Sequence, residues 1–358
     1  MDFYSTNSLS WDKLEYGTDA IQNLHYGLIH VGLSTMIDLS KDKLPNITNG
    51  NTPKNYELCQ EGDIAFADAS EDTNEVAKAV EFYKLKGKDV ICGLHTIHGR
   101  DNLQETVVGY KGYAFSSTAF HHQIRRIAQG TKIYSINSKN FSECYIGIPS
   151  KEEQKKIATL LRLIDERIVT QNKIIDKLQS LIKGIAQKIV HSNKTNVRLS
   201  ECVECSSSTL QESDVCEHGA YPVYGANGIV GYLDNYNTEG EAVYIIKDGS
   251  GVGTVSYVTG KCSATGTLNT LQAKEGYSLQ YLYYLLKVFN FEPYKTGMAI
   301  PHIYFKDYGK AKFFCPSYTE QLQYAQSLSA IDSKLLVEKN ILTSLSMQKK
   351  YLLRQMFI

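Results

Sequence analysis

Apolar residues recur at alternating steps of four and three between Pro149 and Val190, and this spacing predicts one long helix with a coiled-coil seam. Ser150, followed three residues later by Glu153, forms a capping box at the start of that helix. A helix of about 40 residues is about 60 Å long. A polar Gln171 interrupts the seam, whose apolar positions are Ile157, Leu161, Ile164, Ile168, Ile175, Leu178, Ile182, Ile185 and Ile189.

The same pattern returns 167 residues later, starting at Pro316 and Ser317. Glu338 takes the place of Gln171, and Lys349 introduces a charge where the first copy has an apolar residue. The match over so many positions indicates a duplication and not two unrelated surface helices. The second seam contains Tyr324, Leu328, Ile331, Leu335, Leu342, Leu345, Leu352 and Met356.

The segments before the two helices also repeat, and His95 occupies a position matched by Asn269. Short β-rich runs, such as residues 28–31 and 63–67, alternate with turns, and a helix is predicted near residues 120–128. Further matched pairs, each 167 residues apart, are Gly130 and Gly297, Ile133 and Ile300, Ile136 and Ile303, Lys139 and Lys306, and Phe141 and Tyr308.

The predicted fold class is α+β, with two mixed α/β, strand-rich domains separated by two long antiparallel coiled-coil helices in a pseudo-two-fold internal repeat. The antiparallel arrangement follows because only about five residues join the first helix to the second domain, and these reach less than about 18 Å. Gln171 and Glu338 then meet in a polar layer that fixes the register. The predicted segments are a domain at 1–147, a helix at 148–195, a domain at 196–314 and a helix at 315–358.

Composition narrows the class of protein. Of 358 residues, 42% are hydrophobic, which suffices for buried cores, and the 38 basic and 38 acidic residues cancel. Bulk positive charge therefore cannot drive binding to a polyanion, so any nucleic-acid contact must use local patches. The eight cysteines suit a reducing, cytoplasmic location, and we expect no membrane span because no apolar run approaches the necessary length.

Two similar domains on a rigid spacer suit a protein that recognises a two-part linear target, because the distance between half-sites on DNA is a geometric quantity. Divergent loops on a repeated core would let each domain recognise its own half-site. A coiled-coil scaffold that spaces two protein-binding domains remains the alternative. The absence of net positive charge favours that scaffold.

Several motifs together resemble the specificity subunits of type I restriction-modification systems. The resemblance extends over essentially the whole chain, and it rests on the order and repetition of these motifs. They are the Pro-Ser-x-x-Glu-Gln openings at Pro149 and Pro316, the Ile-Asp steps at Ile164 and Ile331, and the stretches 62–70, 93–97, 221–228 and 249–254.

This resemblance implies two target recognition domains that each recognise one half of a split sequence in double-stranded DNA, with the long helices acting as a ruler. It also implies a bacterial restriction system, in which the chain recruits two methyltransferase subunits and, through them, restriction subunits. The chain itself is then a non-catalytic DNA-binding subunit.

Enzymatic alternatives lack their motifs. No Asn/Asp-Pro-Pro-aromatic loop of an adenine methyltransferase occurs, since all seven prolines are isolated, and no phosphate-binding loop is present. Residues 249–254 resemble half of a dinucleotide loop, but residues 255–258 favour a strand, so a tight turn is expected. Cys202, Cys205, Cys216 and His218 are spaced too irregularly for a convincing zinc site. We therefore expect no catalytic residue, cofactor or metal.

Base edges and phosphates are contacted mainly by polar and basic side chains on loops. A structural hydrogen bond shared by the matched positions is the alternative to DNA contact, so both interpretations of His95 and Asn269 stay open. The candidate DNA-binding residues are Lys54, His95, His98, Arg100 and Lys111 in the first domain and Tyr224, Asn227, Lys247, Ser250, Asn269, Lys295, Thr296 and His302 in the second.

Overall fold

In the computed structural model, which describes residues 1–357, the segment before the first long helix folds mainly into short strands. The strands are β1 (Asp2–Tyr4), β2 (Leu14–Glu15), β3 (Gln22–Leu24), β4 (Met36–Asp38), β5 (Asn46–Ile47), β6 (Ile64–Ala67), β7 (Ala69–Ser70), β8 (Ala79–Lys84), β9 (Val90–Cys92), β10 (Thr96–Arg100) and β11 (Tyr134–Ser135). The short helices are α1 (Tyr26–His30), α2 (Lys111–Phe115), α3 (Thr118–Ile127) and α4 (Ser138–Phe141).

These strands form a five-stranded sheet in the order β1-β10-β6-β8-β4 and a four-stranded sheet in the order β2-β5-β3-β9, and β7 pairs with β11. Successive side chains of strand β6 point to opposite faces of the sheet, and both faces are buried. Ala65 joins a core with Ile37 and Phe82, whereas Phe66 packs among the rings of Phe115, Phe120 and Phe141 on the other side.

One expected strand is a helix. The apolar character of residues 28–31 predicts a strand, but these residues lie mostly in α1. At the start of this helix the N–H of Gly27 donates to the side chain of His25. Burial of Ile29 holds this single turn in place. The helix expected at 120–128 is present as α3, and the Ser117 hydroxyl caps it.

The first long helix, α5, runs without interruption from Lys151 to His191. The predicted capping box is present, since Ser150 and Glu153 hydrogen-bond to each other through backbone and side chain. The buried Gln154 joins the helix start to the domain before it. Its carbonyl accepts from the N–H of Val107 at 2.8 Å, and its amide donates to the carbonyl of Pro149 at 2.8 Å.

The second half of the chain contains further short elements and ends in a second long helix. The strands are β12 (Val197–Arg198), β13 (Val203–Ser207), β14 (Tyr221–Gly225), β15 (Gly228–Leu233), β16 (Ala242–Ile246), β17 (Val255–Val258), β18 (Ser263–Ala264), β19 (Leu268–Ala273) and β20 (Lys312–Phe313). The helices are α6 (Leu199–Cys202), α7 (Leu279–Leu286), α8 (Phe305–Tyr308) and α9 (Tyr318–Gln355).

A four-stranded antiparallel sheet in the order β13-β19-β16-β17 forms the centre of this half, beside a three-stranded sheet β15-β14-β18. The turn expected at residues 249–254 joins β16 to β17, and no helix follows it, so the dinucleotide loop is excluded. The start of α9 repeats that of α5. Ser317 and Glu320 form the cap, and Gln321 binds the N–H of Ser278 and the carbonyl of Pro316.

The described chain divides into two compact units, one of residues 1–170 with Ile341 onward and one of residues 171–340. Each unit contains part of both long helices. In unit 1 the helices are antiparallel, because Asp165 meets Lys349 at 2.6 Å while Leu161 shares a core with the later Leu352 and Phe357. Phe357 also packs on the ring of Tyr110, with centroids 5.6 Å apart. The final residues of the chain thus complete the core of unit 1.

All predicted seam positions are buried or half-buried except Tyr324, which is 37% exposed and packs on the ring of Tyr281. The charge at Lys349 is balanced by Asp165, which also accepts a hydrogen bond from the hydroxyl of Tyr113 at 2.9 Å. A charged position on the seam is therefore compatible with packing there. The fold class predicted from the sequence is confirmed.

The polar layer predicted for the helix pair is present within unit 2. Gln171 and Glu338 are both buried, and the amide of Gln171 donates to the backbone carbonyl of Glu338 at 3.0 Å and to its carboxylate. Lys334 neutralises the carboxylate from the preceding turn of the helix. A buried polar pair of this kind specifies one register at some cost in stability.

Replacing Gln171 alone by Leu should lower the thermal midpoint, because the buried carboxylate of Glu338 loses a hydrogen-bond donor. The double variant Gln171→Leu/Glu338→Leu should melt above this single variant, because an apolar layer replaces the incomplete polar one. Circular dichroism at the helix signal measures both midpoints. A double variant that melts at or below the single variant would contradict a mutual role for this pair.

Candidate functional site

The most extensive cluster of candidate residues lies in unit 2, at the turn that follows β16. The loop 296–302 is closed at its base by two backbone hydrogen bonds between Thr296 and His302, at 2.9 and 2.8 Å. The ring of His302 contacts the carboxylate of Asp248 at 2.6 Å, and the N–H of Gly249 donates to the carbonyl of Pro301 at 3.0 Å. The loop and the turn therefore form one surface.

Lys247 contributes a positive charge to this surface from the end of β16. Its ammonium group donates to the hydroxyl of Ser207 at 3.0 Å, and Ser207 in turn contacts the side-chain oxygen of Asn269 at 3.1 Å. This chain of hydrogen bonds orients the half-buried lysine, while Ser250 is exposed in the adjoining turn. A fixed lysine beside an exposed serine is an arrangement that suits an anion such as a phosphate.

The tip of the 296–302 loop is apolar and open to solvent, with Met298 fully exposed and Ile300 58% exposed. Unit 1 contains the matching loop 129–135, closed by the same pair of backbone hydrogen bonds and carrying Ile133, which is 61% exposed. In both loops a glycine with positive φ makes the turn, and a Cβ there would collide with the carbonyl oxygen three residues later. The duplication has thus preserved the loop geometry while the tip sequence has diverged.

Three other candidates in unit 2 are accessible. Tyr224 is half-buried against the ring of Tyr244, and burial raises the pKa of Tyr224. Asn227 is exposed in the tight turn between β14 and β15. Lys295 is half-buried and paired with Glu292 at 2.6 Å, which offsets its charge locally.

In unit 1 the candidates do not form one surface. Lys54 is exposed in the loop after β5. His95 has a positive φ of 55° and a half-exposed ring that contacts Asp68 at 3.2 Å. Arg100 is instead held within the unit, because its guanidinium donates to Asp63, to Glu57 and to the backbone carbonyl of residue 58. These carboxylates raise the pKa of Arg100 further above its ordinary value.

The structure does not support direct DNA contact by three of the predicted residues. His98 is completely buried on Asp63, Lys111 is buried between Thr106 and Glu81, and Asn269 is buried, where its amide donates to the hydroxyl of Tyr308 at 2.8 Å. Neighbouring parts of the fold cover the side chains of His98, Lys111 and Asn269. The matched positions 95 and 269 also differ, since His95 is exposed and Asn269 is a structural hydrogen-bonding group.

Two residues of this surface were not predicted from the sequence. They are Asp248, which orients His302, and Ser207, which orients Lys247. Neither has a local signal, because each acts on a residue distant in the chain. The exposed Met298 and Ile300 were available from the pattern, since apolar residues between Gly297 and Pro301 cannot all enter a core.

Comparison with known proteins identifies the chain at the level of family. A sequence model of the type I restriction modification DNA specificity domain matches residues 43–180 and again residues 191–347. The chain belongs to this family. The two matches fall on the two halves of the duplication, so the resemblance based on paired helix openings is confirmed.

Relatives of this specificity family are similar over much or part of their length. A putative type I specificity subunit of Mycoplasma genitalium is 26% identical over 306 residues, which cover 77% of this chain and 78% of the relative. A putative type I restriction enzyme specificity subunit of Haemophilus influenzae is 35% identical over 82 residues, or 22% of this chain and 21% of the relative.

Solved structures share the fold. The crystal structure of the S subunit of a type I restriction-modification system from M. genitalium matches with a TM-score of 0.64 at 18% identity, covering 100% of this chain and 93% of that one. A chain from a study of complex assembly and conformational transition of the type I system matches with a TM-score of 0.53 at 15% identity, covering 89% of each chain. Among residues 1–357, no helix is both long and apolar enough to cross a membrane.

The burial of Lys111 beside Glu81 generates a pH prediction for unit 1. Glu81 accepts the N–H groups of Gly109 and Gly112, and burial raises its pKa to about 7. An acid whose pKa is raised by folding stabilises the folded state fully below its ordinary pKa of 4.5, and this contribution is lost as the pH rises from there to about 7. The melting temperature of the wild type relative to Glu81→Gln should therefore be highest below about pH 4.5, decrease up to about pH 7 and stay level at higher pH. A difference that grows with pH would contradict this assignment.

Proposed function

We propose that this chain is the DNA sequence-specificity subunit of a type I restriction-modification complex. The observation that carries the proposal is the double match of the family's DNA specificity domain, once to each half of a duplicated chain. Two copies with matched cores and divergent loops suit the recognition of two different half-sites. A single binding site would not need the second copy.

In this proposal residues 1–147 and 196–314 are the two target recognition domains, and residues 148–195 and 315–358 are the spacer helices. Each domain contacts one half of a split sequence in double-stranded DNA. The spacer helices act as a ruler, which their uninterrupted lengths of 41 and 38 residues support. A continuous helix resists bending, so the gap between the half-sites would be set by helix length.

The surface around the turn after β16 is the proposed DNA-contacting edge of the second domain. Lys247 and the exposed turn at Ser250 contact phosphates, while the 296–302 loop, with Thr296 and His302 at its base, lies against the grooves. The apolar tip at Ile300 suits contact with thymine methyl groups or sugars. Tyr224, Asn227 and Lys295 extend this edge. In the first domain the accessible candidates Lys54 and His95 and the matching 129–135 loop take the equivalent role.

The chain's partners in this proposal are two methyltransferase subunits and, through them, restriction subunits. Catalysis then belongs to those partners, in agreement with the absence of an Asn/Asp-Pro-Pro-aromatic loop from this sequence. The long helices carry apolar side chains that neither unit covers, which favours a protein partner along them. These exposed residues are Leu160, Leu163, Val169, Leu181, Leu336, Val337, Met347 and Tyr351. The complex would work in the cytoplasm, on the DNA of the cell.

Removal of the Lys247 charge tests the DNA-contacting edge. The variant Lys247→Ala, assembled with its methyltransferase subunits, should bind all duplexes more weakly, and the slope of log affinity against log salt should fall by about 1, because one phosphate contact is lost. Lys310→Ala removes an equally charged residue of unit 2 outside this edge and serves as the control. Electrophoretic mobility shifts over a salt series measure both slopes. Equal slopes for the two variants would show that Lys247 does not contact a DNA phosphate.

Lengthening the helices tests the ruler. One heptad inserted after Gln171 and one inserted before Glu338 lengthen both helices at facing positions by about 10 Å each, which corresponds to about three base pairs. The two half-sites that the complex methylates should keep their sequences, while the number of base pairs between them increases. Single-molecule sequencing of DNA methylated by the assembled complex measures the gap. An unchanged gap would refute the ruler, and insertion into one helix alone is the control that disrupts the register.

A further inference from the structure

A group of two cysteines and one histidine lies in the core of unit 1. Cys59, Cys92 and His98 are buried, and one potential ligand atom from each lies within 4.8 Å of the other two. The two sulfur atoms are 3.6 Å apart. No other group of three or more His, Cys, Asp or Glu side chains within residues 1–357 has this geometry.

The histidine has an unused nitrogen. Nε2 of His98 contacts the carboxylate of Asp63 at 2.7 Å, whereas Nδ1 is buried without a hydrogen-bond partner. A buried polar atom left unpaired destabilises the folded state, so such an atom in a native core calls for an explanation. Since Asp63 holds Nε2, Nδ1 is the nitrogen left available to a ligand.

The distances suit a bound zinc ion better than a disulfide. Two thiolates, each about 2.3 Å from a zinc ion, lie about 3.8 Å apart at a tetrahedral angle. The sulfurs of a disulfide are about 2.05 Å apart. The separation of 3.6 Å between Cys59 and Cys92 is close to the first value, so these side chains need little movement to bind zinc.

The carboxylate behind the histidine is also typical of a metal site. Histidine ligands commonly donate their second N–H to a carboxylate, which fixes the ring and raises the basicity of the binding nitrogen. Asp63 has this position on His98, and it is itself held by Arg100. The arrangement Asp63–His98–cation therefore has its outer partner already in place.

Charge decides which ion fits. Cys59 and Cys92 are both buried, and a thiolate is stable in an apolar core only with a compensating cation. Two thiolates and a neutral imidazole around Zn²⁺ carry no net charge, whereas the same ligands around Cu⁺ would leave a negative charge in an apolar core. A divalent, thiophilic ion is the better match.

We propose that Cys59, Cys92 and His98 bind a zinc ion, in contrast to the expectation from sequence spacing that the chain has no metal. The site joins β9, which carries Cys92 in one sheet of unit 1, to β10, which carries His98 in the other. Three protein ligands leave one coordination position for a small ligand such as water. The ion stabilises the stacking of the two sheets.

Metal analysis of the full-length chain tests this directly. Protein purified without chelators and re-equilibrated with zinc should contain one zinc ion per chain by mass spectrometry, and a strong chelator should lower its melting temperature reversibly. Cobalt substitution should give a sulfur-to-cobalt charge-transfer absorption, which reports thiolate ligation. Acidification should release the ion, because protons compete for both thiolates.

The variants Cys59→Ser and Cys92→Ser should lose the zinc and the cobalt absorption. Cys262→Ser, which alters a buried cysteine in unit 2, is the matched control and should retain both. A wild-type chain that stays free of zinc and shows no change in melting temperature on zinc addition would overturn the proposal. So would a Cys59–Cys92 disulfide in the protein as isolated, or copper bound in preference to zinc.

Discussion

Burial of one apolar stripe along each of two long helices is the constraint on which the rest of this structure depends. The stripe recurs every seven residues, so the two helices can pack only along that line, and each unit is built onto a part of the pair. Gln154 and Gln321 then tie each helix start to its domain by the same pair of hydrogen bonds. A short sequence motif thereby fixes the position of a domain relative to the start of its helix.

Elements with a long repeating signal could be predicted from the sequence, and short ones could not. Helices α5 and α9 carry many turns of consistent spacing, whereas residues 28–31 offer only one turn, and burial of Ile29 overrides their strand propensity. The capping boxes could be predicted because both partners lie within three residues of each other. The contact of Gln171 with Glu338 could be predicted for a different reason, since the duplication itself identified the middle of the helix pair.

Most of the geometry of the candidate site, in contrast, could not be predicted from the sequence. Residue type alone could not separate the exposed His95 from the buried His98, because their exposure depends on how two sheets stack. The groups that orient the site, such as Asp248 for His302, come from distant parts of the chain and leave no local pattern. Lys247, Ser250 and His302 were predicted only as separate loop candidates, and the structure places them around the β16 turn through hydrogen bonds that the sequence could not supply.

The packing of Phe357 on Tyr110 has a consequence for synthesis on the ribosome. Unit 2 is continuous in sequence, whereas unit 1 combines residues 1–170 with residues from Ile341 onward. The core around Tyr110 therefore stays incomplete while unit 2 is being synthesised. A nascent chain exposes these apolar residues until Phe357 has left the ribosome and can pack on them.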